Sequence, residues 1–107
     1  MDNKVPVIIS LPLENNKYFE ILNEGQALAL RSGFVTLAPG ADVGSHNTED
    51  FEELVIIVEG EGELETDSGR FKIARGQVAF NPAHTQHNLI NTGNEDLKYI
   101  YVVARTK

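Results

Sequence analysis

The sequence of 107 residues contains no cysteine and carries little positive charge. Without cysteine the chain has neither a disulfide framework nor thiolate chemistry. Only 9 Lys and Arg residues stand against 16 Asp and Glu residues, which gives a formal net charge of -7. Nucleic acids and anionic membranes are bound through clustered Lys and Arg, and the sequence has no such cluster. We therefore expect neither nucleic acid nor a membrane as a partner.

Long hydrophobic runs are also missing from the sequence. No stretch approaches the roughly 18 consecutive apolar residues that a membrane-spanning helix needs. The first residues, MDNKVPVIISLPLE, do not resemble a signal peptide, because their apolar stretch is short and contains two prolines. We expect a cytoplasmic protein.

Helical periodicity is absent, and strand patterns take its place. No apolar spacing typical of a helix continues for more than two turns. Short segments rich in Val, Ile and aromatic residues alternate with Gly and Pro, which is typical of a sandwich or barrel of about nine or ten strands. We predict one all-β domain over residues 1–107. Its strand candidates are residues 18–22, 26–37, 54–58, 63–66, 70–74, 77–81, 87–91 and 97–103, with a bulge or bend at Gly33.

The N-terminal stretch, residues 5–11, is apolar and has prolines at its margins. Proline cannot donate a hydrogen bond to a sheet, so this stretch is predicted to be an edge strand. The alternative is an ordered arm without strand pairing. Either form can pair with a second subunit and cover an exposed sheet edge, so we expect a homodimer.

Two histidines and one glutamate lie at the starts of predicted strands. His46 follows a turn, Glu53 opens the most apolar strand, and His87 opens a later one. By the period of two, Glu53 shares a face with Val55 and Ile57, and a carboxylate on a core-facing position is costly unless it is paired or binds a metal. Imidazole and carboxylate are ligands for Fe, Mn, Ni, Cu and Zn ions. The alternative is that His46 is a loop residue and that Glu53 belongs to a solvated acidic run.

Three further residues have two interpretations each. Arg31, in a predicted strand, is either an anion anchor in a pocket or a charge that faces solvent. Tyr99 and Tyr101 are candidates for lining the same pocket, but the facing of their strand cannot be derived from the sequence.

The stretch at residues 40–60 resembles the first sequence motif of the cupin superfamily. Gly40, His46, Glu53 and Gly60 fall on the motif positions. Thr48 stands where the motif has its second histidine.

The stretch at residues 76–91 is similar to the second cupin motif. Gly76, Pro82, His87 and Asn91 fall on it, and His84 stands in the position of a glycine. The two motifs occur in the family's order, and they cover the middle of the chain.

The resemblance implies a single-domain jelly-roll barrel, the double-stranded β-helix of cupins, with a metal inside. It carries His46, Glu53 and His87 over as ligands, with Thr48 and His84 as further candidates. A neutral Thr hydroxyl is a poor ligand for these metals, so water fills that position or the metal is held weakly or absent. Pro82 and Asn91 are expected to be structural.

Two functions follow from this resemblance. One is a small metal-dependent enzyme, a dioxygenase, isomerase or decarboxylase, that acts on a small polar molecule. The other is a non-catalytic or sensory cupin with a degenerate metal site that binds a small molecule in its barrel. The substitution at Thr48 leaves both open.

Overall fold

The computed structural model describes residues 6–107, which form nine β-strands and no helix. In chain order, the strands are β1 (Phe19–Leu22), β2 (Leu30–Leu37), β3 (His46–Asn47), β4 (Phe51–Glu59), β5 (Glu61–Thr66), β6 (Gly69–Ala74), β7 (Val78–Asn81), β8 (Gln86–Ile90) and β9 (Leu97–Arg105). Within this part of the chain, no helix is long and apolar enough to cross a membrane.

The strands form two antiparallel sheets. One has five strands in the order β1-β2-β9-β4-β7, and the other has four in the order β3-β8-β5-β6. The central neighbours are distant in sequence, since β2 pairs with β9 and β5 pairs with β8. This is the double-sheet arrangement of a jelly roll, and the predicted all-β fold is confirmed.

The core lies between the two sheets and is built by strict alternation along β4. Val55 and Ile57 point inward and are buried, whereas Leu54, Ile56 and Val58, which alternate with them, are more exposed. They pack with Leu89 from β8 and Leu97 from β9. Burying each such side chain stabilises the fold by about 1.5–3 kcal/mol. Apolar side chains therefore fill one end of the space between the sheets.

The outer face of β4 and β7 is also apolar. Phe80 pairs with Leu54 and Val78 pairs with Ile56. Val78 and Phe80 are 60% and 57% exposed, so the large side chains of β7 point outward. The result is an exposed apolar patch on one sheet, formed by Leu54, Ile56, Val78 and Phe80.

Gly33 does not form the predicted bulge in β2. The pairing of β2 with β9 is regular through this residue, and the irregularity lies in the neighbouring strand β1, between Glu20 and Leu22. A Cβ atom on Gly33 would lie 2.6 Å from ring carbons of both Tyr18 and Tyr101. The glycine is required because two aromatic rings cross the backbone there.

The edge strand predicted for residues 5–11 is not present over residues 6–11, and residue 5 lies outside the described residues. Pro6 and Pro12 lack the N–H groups that a ladder uses. The chain turns just beyond, where Asn15 donates its backbone N–H to Pro12, and Ile8 is 94% exposed. The alternative, an arm without strand pairing, describes residues 6–11.

Candidate metal centre

Glu53 lies at the polar end of the inward row of β4. Across the sheet it is in register with Val103 of β9 on one side and Asn81 of β7 on the other. Val103 in turn is in register with Arg31 of β2. Residues that are directly opposite in antiparallel strands share a face, so this row points toward the space between the sheets. The predicted inward direction of Glu53 is confirmed by its burial.

The two histidines come from the opposite sheet. His46 of β3 is directly opposite His87 of β8, and their rings meet edge to face with centroids 4.2 Å apart. His46 is exposed at the end of the barrel, whereas His87 is buried. The two sheets thus bring two imidazoles and one carboxylate to the same place.

The ligand atoms of His46, Glu53 and His87 all lie within 4.8 Å of one another. Nε2 of His87 is 2.8 Å from Oε1 of Glu53. The backbone carbonyl of Gly44 lies 2.9 Å from Nδ1 of His46 and accepts its proton in the Nδ1–H tautomer. That contact leaves Nε2 of His46 free as a ligand, which is the usual way in which an outer contact fixes a metal-binding histidine.

The pKa of the Glu53 carboxyl group is subject to opposing influences. Burial raises the pKa of its carboxyl group, whereas the contact with His87, the hydrogen bond from Asn81 and the charge of both histidines lower that pKa, and the net shift is downward from 4.5. The group is therefore an ionised carboxylate at neutral pH, and this is the form in which it binds metal.

The three side chains fit a divalent transition metal ion. His87 is 4% exposed, and neither of its ring nitrogens has a hydrogen-bonding partner among the described residues. The 2.8 Å contact with Glu53 is close, but it does not meet the geometry of a hydrogen bond. An unsatisfied buried polar group costs about 1–3 kcal/mol. Two imidazoles and one carboxylate on one side of an ion leave open positions for a further molecule.

Asn81 supports this arrangement from the side. Its Nδ2 donates to Oε1 of Glu53 over 3.0 Å, and both residues are buried. Hydrogen bonds of this kind orient ligating carboxylates. Asn81 was not identified from the sequence, because its partner Glu53 lies 28 positions away and only the pairing of β4 with β7 brings the two together.

A family profile described as a cupin domain matches residues 33–103. The chain belongs to the cupin family. The resemblance found in the two sequence motifs is thereby confirmed.

Two of the matches come from Thermotoga maritima. An oxalate-binding protein is 36% identical over 67 residues, which are 63% of this chain and 55% of that protein. The chain spans about half the length of the curated relatives it matches. The crystal structure of a predicted oxalate decarboxylase has a TM-score of 0.77 at 29% identity, over 82% of this chain and 78% of that one.

A third similar structure shows the shared fold alone. It is a cupin 2 conserved barrel domain protein from Salinispora arenicola, with a TM-score of 0.77 at 21% identity. The match covers 94% of this cupin and 90% of that chain.

Thr48, which replaces the second motif histidine of cupins, lies beside the centre with its hydroxyl engaged elsewhere. The hydroxyl donates to the carbonyl of Pro82 over 2.7 Å and accepts from the N–H of Thr85 over 3.0 Å. These bonds tie the loop before β4 to the turn before β8. The structure gives Thr48 a backbone-bridging role and leaves three donor side chains at the centre.

His84 lies away from the other two histidines. It has a positive φ of 59° in the turn between β7 and β8, and its exposed ring is 3.2 Å from Asp50. Glycine adopts a left-handed backbone without strain, which accounts for the glycine that the cupin motif has at this position. His84 is not among the three clustered side chains.

The centre opens into a small pocket of about 150 Å³. Besides the three clustered side chains, its walls include Arg31, Phe51 and Val103. Arg31 thus lines a pocket, as one of its two interpretations expected, while its side chain remains 40% exposed. Neither Phe51 nor Val103 was identified from the sequence.

The two tyrosines lie outside the described wall of this pocket. Tyr99 packs in the apolar core, and the hydroxyl of Tyr101 is 2.6 Å from that of Tyr18. Burial raises the pKa of both Tyr99 and Tyr101, so their phenols remain protonated.

Proposed function

We propose that this cupin binds a divalent transition metal ion through His46, Glu53 and His87, and that the ion holds a small polar acid in the adjoining pocket. The buried ring of His87, which lacks a hydrogen-bonding partner among residues 6–107 and lies 2.8 Å from Glu53, is the observation that supports this most directly. A bound ion would act as a Lewis acid toward the acid's oxygen atoms.

The protein's own contribution is to hold the donors in place. The carbonyl of Gly44 fixes the ring of His46, and Asn81 fixes the carboxylate of Glu53. Phe51 and Val103 form an apolar part of the pocket wall. Apolar surroundings strengthen electrostatic contacts made beside them.

The choice of ligand follows from the similar proteins. One is named an oxalate-binding protein and another a predicted oxalate decarboxylase. Oxalate is a small polar acid, and it is the first molecule to test. Dioxygenation, isomerisation and decarboxylation remain the candidate reactions of a metal-bound cupin of this kind.

A non-catalytic binding protein is the second candidate. It is favoured by Thr48, whose hydroxyl is bonded to backbone groups where most cupins place a ligating histidine. A centre with three protein ligands binds metal less firmly than one with four. The candidate metals are Fe, Mn, Ni, Cu and Zn. The order of their affinities does not by itself decide which ion occupies a site in cells.

A homodimer is the last part of the proposal. The apolar patch formed by Leu54, Ile56, Val78 and Phe80 lies on the outside of one sheet. Apolar patches of this type mark protein contacts. Gel filtration with light scattering should give twice the chain mass, and a clean monomer at micromolar concentration would remove this part.

Elemental analysis of untagged protein tests the metal centre. We expect stoichiometric transition metal in the wild type and its loss in both Glu53→Ala and His87→Ala. His84→Ala is the matched control, because it removes an exposed histidine outside the cluster and should retain the metal. Wild-type protein that binds none of the five metals after incubation would refute the centre and favour a metal-free binding protein.

A further inference from the structure

We propose that Arg31 forms an anion subsite facing the metal centre, so that the ligand is a short dicarboxylate held at both ends, and that Glu24 competes with the ligand for Arg31. This inference rests on the proposed metal centre for one end of the ligand. The other end depends on residues that have no part in metal binding.

The sheet places Arg31 on the same face as Glu53. Val103 is in register with both residues, so all three belong to one row across β2, β9 and β4. Neighbouring strands are about 4.8 Å apart, which puts the backbones of Arg31 and Glu53 about 10 Å apart. The long side chain of Arg31 reaches the wall of the same pocket as the three clustered donors.

The guanidinium of Arg31 is held against the ring of Phe51 and has N–H groups available for a further partner. Its central carbon lies 4.8 Å from the ring centre of Phe51, which holds the plane. Among the contacts described for residues 6–107, its side-chain hydrogen bond goes to Glu24 over 3.0 Å. A guanidinium has five N–H donors in a fork that matches a carboxylate, so donors remain for a second acid group.

Glu24 has the features of a replaceable partner. Its side chain is 68% exposed, and an ion pair at that exposure is weak. It also lies 3.8 Å from Arg105, which therefore remains a partner when Arg31 turns to a ligand. A ligand carboxylate that is partly shielded by Phe51 competes well against such a contact.

The span between the three clustered donors and Arg31 indicates the ligand class. Both line the same pocket of about 150 Å³. A molecule of two to three carbons with an acid group at each end fits this space. One acid group faces the centre formed by His46, Glu53 and His87, and the other faces Arg31.

Calorimetric titration of metal-loaded protein with oxalate and with oxamate tests the subsite. Oxamate has the same shape but replaces one carboxylate by a neutral amide. Arg31→Gln should weaken oxalate binding by about ten- to a hundredfold, because a hydrogen-bonded charge pair is lost, and should change oxamate binding far less. Its metal content should equal that of the wild type.

Two further variants test whether the change in oxalate binding is specific to Arg31 and whether Glu24 competes with the ligand. Arg70→Gln is the matched control, since Arg70 also pairs with carboxylates, Glu63 and Glu65, but is not among the described residues of the pocket wall. It should retain the wild-type preference for oxalate. Glu24→Gln removes the competing carboxylate and should tighten oxalate binding several-fold, an effect that loss of folding cannot produce.

The outcomes separate this subsite from the metal centre. Metal-loaded Arg31→Gln protein that keeps the full preference for oxalate over oxamate would overturn the subsite and leave the centre intact. If the wild type binds no metal, the same titration is done on the metal-free protein. Oxalate binding that still depends on Arg31 would then support the subsite, whereas no oxalate binding would overturn it.

Discussion

The two ends of the space between the sheets are built on the same strands and serve different purposes. Along β4, Ile57 and Val55 fill the apolar end, and Glu53 points inward at the other end. The side chains at the apolar end are stabilised by close packing. The polar end places an ionised carboxylate between Asn81 and His87, and the ring of His87 has no hydrogen-bonding partner in the described part of the chain. Close packing stabilises the fold at one end, and a buried imidazole with unsatisfied ring nitrogens lies at the other.

The largest effect is expected from a cavity at the apolar end. Ile57→Ala should lower the free energy of unfolding by about 2–5 kcal/mol, because the buried side chain leaves a hole that the sheets cannot close. Urea denaturation measures the loss. Leu28→Ala, at a residue that is 99% exposed, is the control and should change stability by less than about 0.5 kcal/mol. Equal losses in the two variants would contradict the packing role assigned to Ile57.

The polar end should gain stability only when metal is added. At a free metal concentration 100 times the dissociation constant, the wild type should gain about 2.7 kcal/mol of unfolding free energy. His87→Ala should gain none, and His84→Ala should gain as much as the wild type. Thermal unfolding with and without metal measures this gain, and equal gains in all three proteins would count against the centre.

Asn81 hydrogen-bonds to Glu53 without being one of the three donor residues, so its removal tests how much the centre depends on outer contacts. Asn81→Ala should weaken metal binding by about ten- to a hundredfold through the freed carboxylate of Glu53. Competition with a chelator measures the affinity, and a melting curve checks that the variant is folded. An unchanged affinity would show that the hydrogen bond from Asn81 serves packing alone.

The smallest effect concerns acid sensitivity of the metal-free protein. Because the pKa of Glu53 is lower in the folded state than its ordinary value of 4.5, this group contributes stability above that value. The contribution is lost as the pH falls through the lowered folded-state pKa. Urea midpoints measured across this acid range should therefore fall more steeply in the wild type than in Glu53→Gln. Parallel curves would show that His87 and Asn81 do not favour the ionised form.

Much of this arrangement was predictable from the sequence. The Gly and Pro spacing predicted the strands, and alternation along β4 predicted the inward direction of Glu53. Strand β7 was not predictable in the same way. Its large residues, Val78 and Phe80, face outward, and the smaller Ala79 and Asn81 face the interior. An apolar outer patch reverses the usual pattern, and only the pairing with β4 reveals it.

Long-range partners explain the other differences. The engagement of the Thr48 hydroxyl with Pro82 and Thr85 joins positions far apart in the chain, and no local spacing encodes it. Gly33 is needed because Tyr18 and Tyr101 approach it from two other segments. Arg31 had two interpretations in the sequence because the register of β2 with β9 determines which wall it joins.

The short strand β3 has a consequence for the rate at which a metal ion would exchange at the centre. Its two residues lie at the edge of the four-stranded sheet and pair only with β8, whereas Glu53 lies in a strand with partners on both sides. Edge segments with few hydrogen bonds open locally at a small fraction of the global unfolding free energy. If the proposed ion binds, we therefore expect His46 to detach first, and the lifetime of the bound ion would be set by the fraying of β3 while the rest of the barrel remains closed.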